Sequence, residues 1–286
     1  MKIVIENFST TNDTQALYFA STLNKMGHET VVFDKSKSSI YDVMDRNQPD
    51  LYITHGLMIS QELMFYLDNN DHDLDIVFSI NGMANEQIVG LDKFVKNNNI
   101  NSSFFFTHTD KDKIPKINHN LVQIRSAADL NLLEQKPNIE YNIDKAIFIY
   151  NIESIKEYDE SYHILTTNSN IKDAVDIYLP EISLGPLYRF YNTIIFRDNL
   201  GYLPQAFFDA IIMGAKTYFD IDDKDQREHF HSMITKTFKD GVSLDYNDIN
   251  KCVDFDNIIK HVLEKHTNKN RTNTLLSHIK KKVLVS

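Results

Sequence analysis

The 286-residue chain has a single cysteine, no tryptophan, fewer basic than acidic side chains and no long apolar run. Each shortage removes a class of protein. Cys252 alone can form neither an intramolecular disulfide nor a cysteine-rich zinc cluster, which fits a reducing cytoplasm. With 30 Lys and Arg against 40 Asp and Glu, the net charge of −10 gives no long-range attraction to nucleic acid, so a contact with DNA must rest on a local basic patch. Nothing approaches the roughly 18 consecutive apolar residues of a membrane-spanning helix. The opening MKIVIENFSTTND reads as a short strand rather than a secretory signal. Hydrophobic content of 42% with 24% charged residues is ordinary for a chain that buries a core.

What is present is alternation. The apolar run KIVI (2–5) leads into a polar turn, and Ala16, Leu17, Phe19, Ala20, Leu23 and Met26 then recur at helical spacing. Gly27 suits the end of that helix, and HETVVFD follows as a second strand ending at Asp34. The pattern continues through the strands DLYITH, DIVFSIN and SSFFFTHTD, with helical segments between them. Strands alternating with helices predict a parallel sheet covered on both faces, with ligands beyond the carboxyl ends of the strands. The loops at 6–14, 55–60, 81–86 and 107–115 are therefore the candidate ligand side. The first of them lacks Gly-x-Gly-x-x-Gly, which argues against a dinucleotide cofactor and a dehydrogenase.

EQKPNIEYNID has no periodicity and contains Pro137, as a linker does. Beyond it a second series begins with KAIFIY, YHILTT and VDIYLPE, then the helix GPLYRFY, the strand NTIIFRD, a helix from LPQAFFDAIIMG and the strand AKTYFD. Two helices near 254–266 and 270–284 close the chain. The expected architecture is α/β: two Rossmann-like domains, 1–135 and 136–286, with a cleft between them.

Within LPQAFFDAIIMG one acid, Asp209, stands in an otherwise apolar helix. On a helical wheel Gln205 and Asp209 share the narrow polar stripe left by Phe207, Phe208, Ala210, Ile211 and Ile212. One reading is that Asp209 solvates that stripe. The other follows from position: the helix succeeds a strand, so its N-terminal half belongs over the carboxyl edge of the sheet. There, free amides and the helix dipole favour a phosphate, and a carboxylate can accept hydrogen bonds from a ribose diol.

These residues carry a resemblance. YLPQAFFDAIIMGAKTYFD resembles the nucleotide-binding segment of GT-B glycosyltransferases, a Glu-Ala-x-x-x-Gly helix followed by a short strand, with Asp209, Ala210 and Gly214 in its positions. It is most similar to the sporulation-associated CgeB-like branch, whose terminal His-Thr-x-x-x-Arg-x-x-x-Leu-Leu segment resembles HTNKNRTNTLLSHI. The resemblance implies transfer of a sugar from a nucleoside diphosphate donor such as a UDP-sugar, with no required cofactor and divalent metal optional. It places Asp209 on the ribose, Gln205 beside it, and the amides from Tyr202 to Ala206 on the diphosphate. Asp209 replaces the usual Glu, Ala206 stands where the branch often has Arg, and Gly201 occupies the site of an earlier acid. Arg197 or Arg189 would then supply the diphosphate charge, although each also reads as a surface arginine.

The same resemblance puts the acceptor on the first domain. SSFFFTHTDKDKIP is similar to the strand and loop bearing the catalytic acid of T-even phage DNA glucosyltransferases, with one extra residue. Asp110 is the candidate base for an inverting transfer and His108 the second, while a turn-forming role for Asp110 stays open. His55, before Gly56, and Asn81, before Gly82, are acceptor-side candidates that also read as ordinary loop residues. The histidines of REHFH have no metal spacing, and DIDDKD (220–225) reads as a solvated acidic loop. The acceptor expectations are a hydroxymethylated DNA base, in a host cytoplasm if the chain is phage-encoded, or a cell-surface glycan or protein. A nucleotide-sugar-binding module without catalysis and a nucleotide-sugar epimerase remain open beside them.

Overall fold

The computed structural model describes residues 1–7, 15–70, 73–134, 143–149, 162–179, 184–197, 203–220, 224–225, 228, 232–234, 238 and 255–283. The chain divides into two compact units, Met1–Arg125 with Arg271–Ser286, and Ser126–Asn270. The division thus falls ahead of the expected 135/136 boundary, and the end of the chain returns to the first unit.

The first unit alternates β1 (Lys2–Glu6), α1 (Gln15–Lys25), β2 (Glu29–Phe33), α2 (Ile40–Asn47), β3 (Leu51–His55), α3 (Gln61–Asn69), β4 (Asp75–Ser79), α4 (Asn85–Asn97), β5 (Ser102–Thr107) and β6 (Leu121–Gln123). Its strands lie in the order β2-β1-β3-β4-β5-β6. Every pairing is parallel, with Ile3 beside both Thr30 and Leu51, Phe78 beside Phe105, and Phe106 beside Val122. Alternate side chains feed opposite faces. Ile3, Ile53, Val77, Phe104 and Phe106 pack with α1, while Val4, Tyr52, Ile76, Phe78 and Phe105 pack with α2, α3 and α4. Burial on both faces is what near-continuous apolar strands require. Gly27 ends α1 at φ +86°, the conformation its place after the helix predicts. β6 was not foreseen: three residues are too few for periodicity to register.

The second unit contains β7 (Ile143–Phe148), β8 (His163–Thr166), β9 (Ile177–Tyr178), β10 (Tyr191–Phe196), α5 (Gln205–Ile212), β11 (Lys216–Phe219) and α6 (Phe255–Lys265). Its parallel sheet runs β11-β10-β7-β8-β9, so the strand order reverses between β7 and β10. GPLYRF forms a 3-10 turn rather than an α-helix. Phe148, Phe196, Phe207, Phe208, Tyr188 and Val262 form one core, and Ile147, Ile149, Ile164 and Ile171 the other. Gly214 turns the chain from α5 toward β11 at φ +93°.

The last helix, α7 (Asn268–Val283), opens on a reciprocal cap: the Thr267 amide donates to Asn270 Oδ1 at 3.1 Å, and the Asn270 amide to Thr267 Oγ1 at 3.3 Å. Farther along, Leu275, Leu276 and Ile279 fill the first unit's core beside Phe104 and Phe106, which explains why this helix does not stay with the second sheet. No described helix is long and apolar enough to cross a membrane.

Candidate active site

Four of the expected residues meet at the carboxyl edge of the first sheet. β3 ends at His55, whose Nδ1 accepts the Leu57 amide at 3.2 Å, so the ring hydrogen sits on Nε2 and is donated to the Asn81 carbonyl at 2.8 Å. Asn81, just past β4, donates through Nδ2 to Ser79 Oγ at 3.1 Å and accepts the His108 amide on Oδ1 at 2.7 Å. His108, just past β5, donates Nδ1–H to the Ile124 carbonyl at 2.5 Å. A relay of side chain to main chain hydrogen bonds therefore links the ends of β3, β4, β5 and β6.

The two histidines end in opposite states. His55 accepts a backbone N–H on Nδ1, whereas His108 donates from Nδ1, so the two neutral rings are held as different tautomers. Asp110 Oδ1 accepts from Gln123 Nε2 at 2.9 Å and from Arg125 Nη2 at 3.1 Å, with 12% of its side chain exposed.

Glu6 is a residue that sequence reasoning missed. It closes β1 where the strand order reverses against β3, is buried, and accepts Tyr52 Oη–H and Thr54 Oγ1–H on Oε2, each at 2.5 Å. Burial, followed by the charge of Glu6, pushes the Tyr52 hydroxyl well above the usual tyrosine range. The network fixes the end of β3 that carries His55. Its available signal was an acid at the exit of an apolar first strand, in KIVIE.

In the second unit Arg197 follows β10 at the carboxyl edge, its amide bonded to the Phe148 carbonyl at 3.2 Å and its Nε to Asp220 Oδ2 at 2.8 Å. The start of α5 stands on the same edge: Pro204 is its N-cap and supplies no side-chain cap, while its carbonyl accepts the Phe207 amide at 3.2 Å. Asp209 is fully buried at 0% exposure, which overturns the solvated-stripe reading. Oδ1 accepts the Asp129 amide at 2.7 Å and Oδ2 accepts Gln205 Nε2 at 3.1 Å. The acid thus anchors the segment around Asp129 to the middle of α5. That segment is itself tied down by hydrogen bonds from Ala128 to His266 at 2.8 Å and from Asn268 to Ala128 at 3.0 Å.

Arg189 lies elsewhere. It belongs to the turn that precedes β10, at the amino end of that strand, and its Nη2 donates to the Leu132 carbonyl at 3.2 Å. Burial lowers its pKa. Facing inward on the wrong edge, it is not placed to meet a diphosphate at the carboxyl ends. Tyr202, Cys252, His229, His231 and residues 221–223 fall outside the described residues. Among the described residues no group of three or more His, Cys, Asp or Glu side chains is disposed to hold a metal ion.

Two parallel sheets, each with its polar groups beyond the carboxyl ends, make this a double Rossmann-like fold of the GT-B type. Among solved structures it is similar to an alpha-glucosyltransferase in complex with UDP and a 13-mer DNA containing a HMU base, with TM-score 0.57, 12% identity, and coverage of 97% of this chain and 95% of that one. An alpha-glucosyltransferase in complex with UDP gives TM-score 0.55 at 11% identity, covering 95% of this chain and 93% of that one. No protein family and no curated protein matches the sequence, so the likeness to the CgeB-like branch rests on the motif residues alone.

Proposed function

We propose that this protein is a glycosyltransferase that moves a sugar from a nucleoside diphosphate, a UDP-sugar in the first instance, to a hydroxyl acceptor. The observation that carries the reading is the relay at the first sheet's edge. It holds His108 in one tautomer with its basic nitrogen opposite a backbone anchor, as a base for a hydroxyl proton requires. In the proposal the first unit takes the acceptor, His108 accepts the proton, and Asp110, fixed by Arg125, supports the developing positive charge nearby.

The second unit takes the donor. The uncapped opening of α5 offers amides and the positive end of the helix dipole to the diphosphate, with Arg197 adjacent and Gln205 at the first turn. The neutralising work that a metal performs in other transferases falls here to amides and an arginine, so divalent metal is optional. Asp209, sealed inside, acts by shaping that opening rather than by meeting the ribose. A hydroxymethylated DNA base is one acceptor proposal, suggested by the DNA in the neighbouring structure.

Calorimetric titration with UDP and then GDP, with magnesium varied, tests the donor half. UDP is expected to bind, and Arg197→Ala to weaken it by about 1.5–3 kcal/mol, the scale of hydrogen bonds to charged groups. Failure of every nucleotide to bind would remove the reading. A binding module without catalysis is favoured by one observation, the engagement of Asp110 by Gln123 and Arg125. It is distinguished by nucleotide binding without turnover of UDP-glucose.

A further inference from the structure

α3 and α4 lie on the same face of the first sheet, and between them runs an open groove of about 690 Å³. Its walls are two helical stripes: Gln61, Met64, Phe65 and Asp68 from α3 face Gln87, Gly90, Leu91 and Phe94 from α4. Gly56, Leu57 and Met83, next to the relay residues His55 and Asn81, form its upper end. From Gln61 to Asp68 the groove descends roughly 10 Å at 1.5 Å per residue.

Three features point to a ligand. Phe65 and Leu57 are 58% and 54% exposed, a cost in apolar hydration that the fold does not require of them. Gly90 sits inside α4, where glycine disfavours the helix, yet a Cβ there would meet nothing within 4 Å. Any larger residue except proline would strengthen the helix, so the glycine's effect is to keep the groove open. Third, among the described residues the lining holds no Lys, Arg or His and one acid, Asp68, at its lower end. Such a surface repels phosphate and accepts an apolar body, with a hydroxyl, amide or ammonium near Asp68.

We infer that this groove binds the acceptor, and that the acceptor is an elongated, uncharged or weakly cationic lipophilic alcohol rather than a nucleic acid. Its ring system or chain lies along α3 and α4 and its hydroxyl stands at the upper end, toward the relay. The inference rests on the glycosyltransferase reading for the word acceptor, while the groove's occupancy can be tested without it.

The first measurement is the fluorescence of N-phenyl-1-naphthylamine, a neutral apolar probe, with the wild-type protein and with Gly90→Leu, which fills the groove at a position where the helix gains. The expected result is binding by the wild type, at least tenfold weaker binding by an equally or more heat-stable Gly90→Leu, and displacement of the probe by 2-naphthalenemethanol. Equal affinity in the two proteins overturns the site. A wild-type dimer that Gly90→Leu dissociates overturns it in favour of self-association. In the second measurement, UDP-glucose is supplied with 2-naphthalenemethanol or with a duplex containing hydroxymethyluracil. Glucosylation of the alcohol, lost in Gly90→Leu, is expected, and glucosylation of the duplex alone overturns the acceptor class. Groove-specific probe binding with no turnover of any nucleotide sugar defeats the glycosyltransferase reading, and the acceptor assignment with it, but leaves the groove as a binding site.

Discussion

The two sheets are built alike and furnished differently at their carboxyl edges. In the first, side chains at successive strand ends bond to the neighbouring main chain: the His55 ring to the Asn81 carbonyl, the Asn81 side chain to the His108 amide and the His108 ring to the Ile124 carbonyl. In the second, the described residues give an ion pair, Arg197 with Asp220, on the edge where a helix begins with Pro204 as its N-cap. Side chains anchored on main-chain groups hold the His108 ring, the proposed base, in one orientation and one tautomer. Main-chain amides at a helix start hold an anion and need no side chain of their own. On the proposed function the contrast would separate chemistry from binding, and variants on the two edges should then separate in the same way.

The largest effect is expected from the first edge. His108→Gln removes the basic nitrogen, and loss of a general base costs typically 10²- to 10⁴-fold in rate. Turnover of UDP-glucose with an acceptor should fall by about that factor while the calorimetric affinity for UDP stays within twofold. A fall in UDP affinity of the same size would erase the contrast, because His108 would then belong to the donor site. His55→Gln, at a residue whose basic nitrogen is already occupied, should change turnover far less.

The next effect concerns a second helical acid. Asp92 in α4 is buried, and burial alone would raise its pKa. Hydrogen bonds from the His119 ring, the Asn118 and His119 amides and the Asn118 side chain outweigh that and hold it at about 2. Its His119 partner is stacked on Phe105 with ring centroids 4.8 Å apart. From the ordinary value of 3.8 to about 2, the shift corresponds to about 2 kcal/mol of stability. Because the folded pKa is the lower one, that stability is present above pH 3.8 and is lost as pH falls toward about 2. Melting curves of wild type and Asp92→Asn should therefore lie furthest apart near neutrality and converge as pH falls to about 2. Parallel curves across that range would show that Asp92 stays charged for some other reason, or never titrates with folding.

How far all this could be read from the sequence depended on the kind of signal. Both parallel sheets were legible, because apolar strands alternating with amphipathic helices are a local pattern. His55, Asn81, His108 and Asp110 were legible as a group, because each follows an apolar strand and the strand ends converge. Partners were not. Nothing local in NLVQIR (120–125) says that Gln123 and Arg125 will reach Asp110. Nothing near Asp92 names residues 118 and 119. Arg189 misled because a charged residue near a strand says nothing about which end of the strand it serves. The return of α7 to the first unit was hidden for the same reason: Leu275 and Ile279 are apolar at helical spacing wherever they pack.

Asp209 is the sharpest case, since the resemblance and the geometry give it different tasks. If it meets the ribose, Asp209→Asn should weaken UDP by tenfold or more and leave stability nearly unchanged. If it anchors Asp129 to α5, the change falls on stability. Asparagine keeps one acceptor oxygen for the Asp129 amide but loses a charged hydrogen bond, for a cost of about 1–2 kcal/mol. Its –NH₂ group would also face the Gln205 side-chain amide, which now donates to Oδ2 and must turn its oxygen inward instead. UDP affinity should then fall only slightly, through the shifted first turn of α5. The buried carboxylate and its protein donors favour the anchoring outcome, with Tm lowered and nucleotide binding nearly kept. Denaturation and UDP titration of this one variant decide whether an acid at this point of a GT-B helix recognises the donor or holds in place the helix that does.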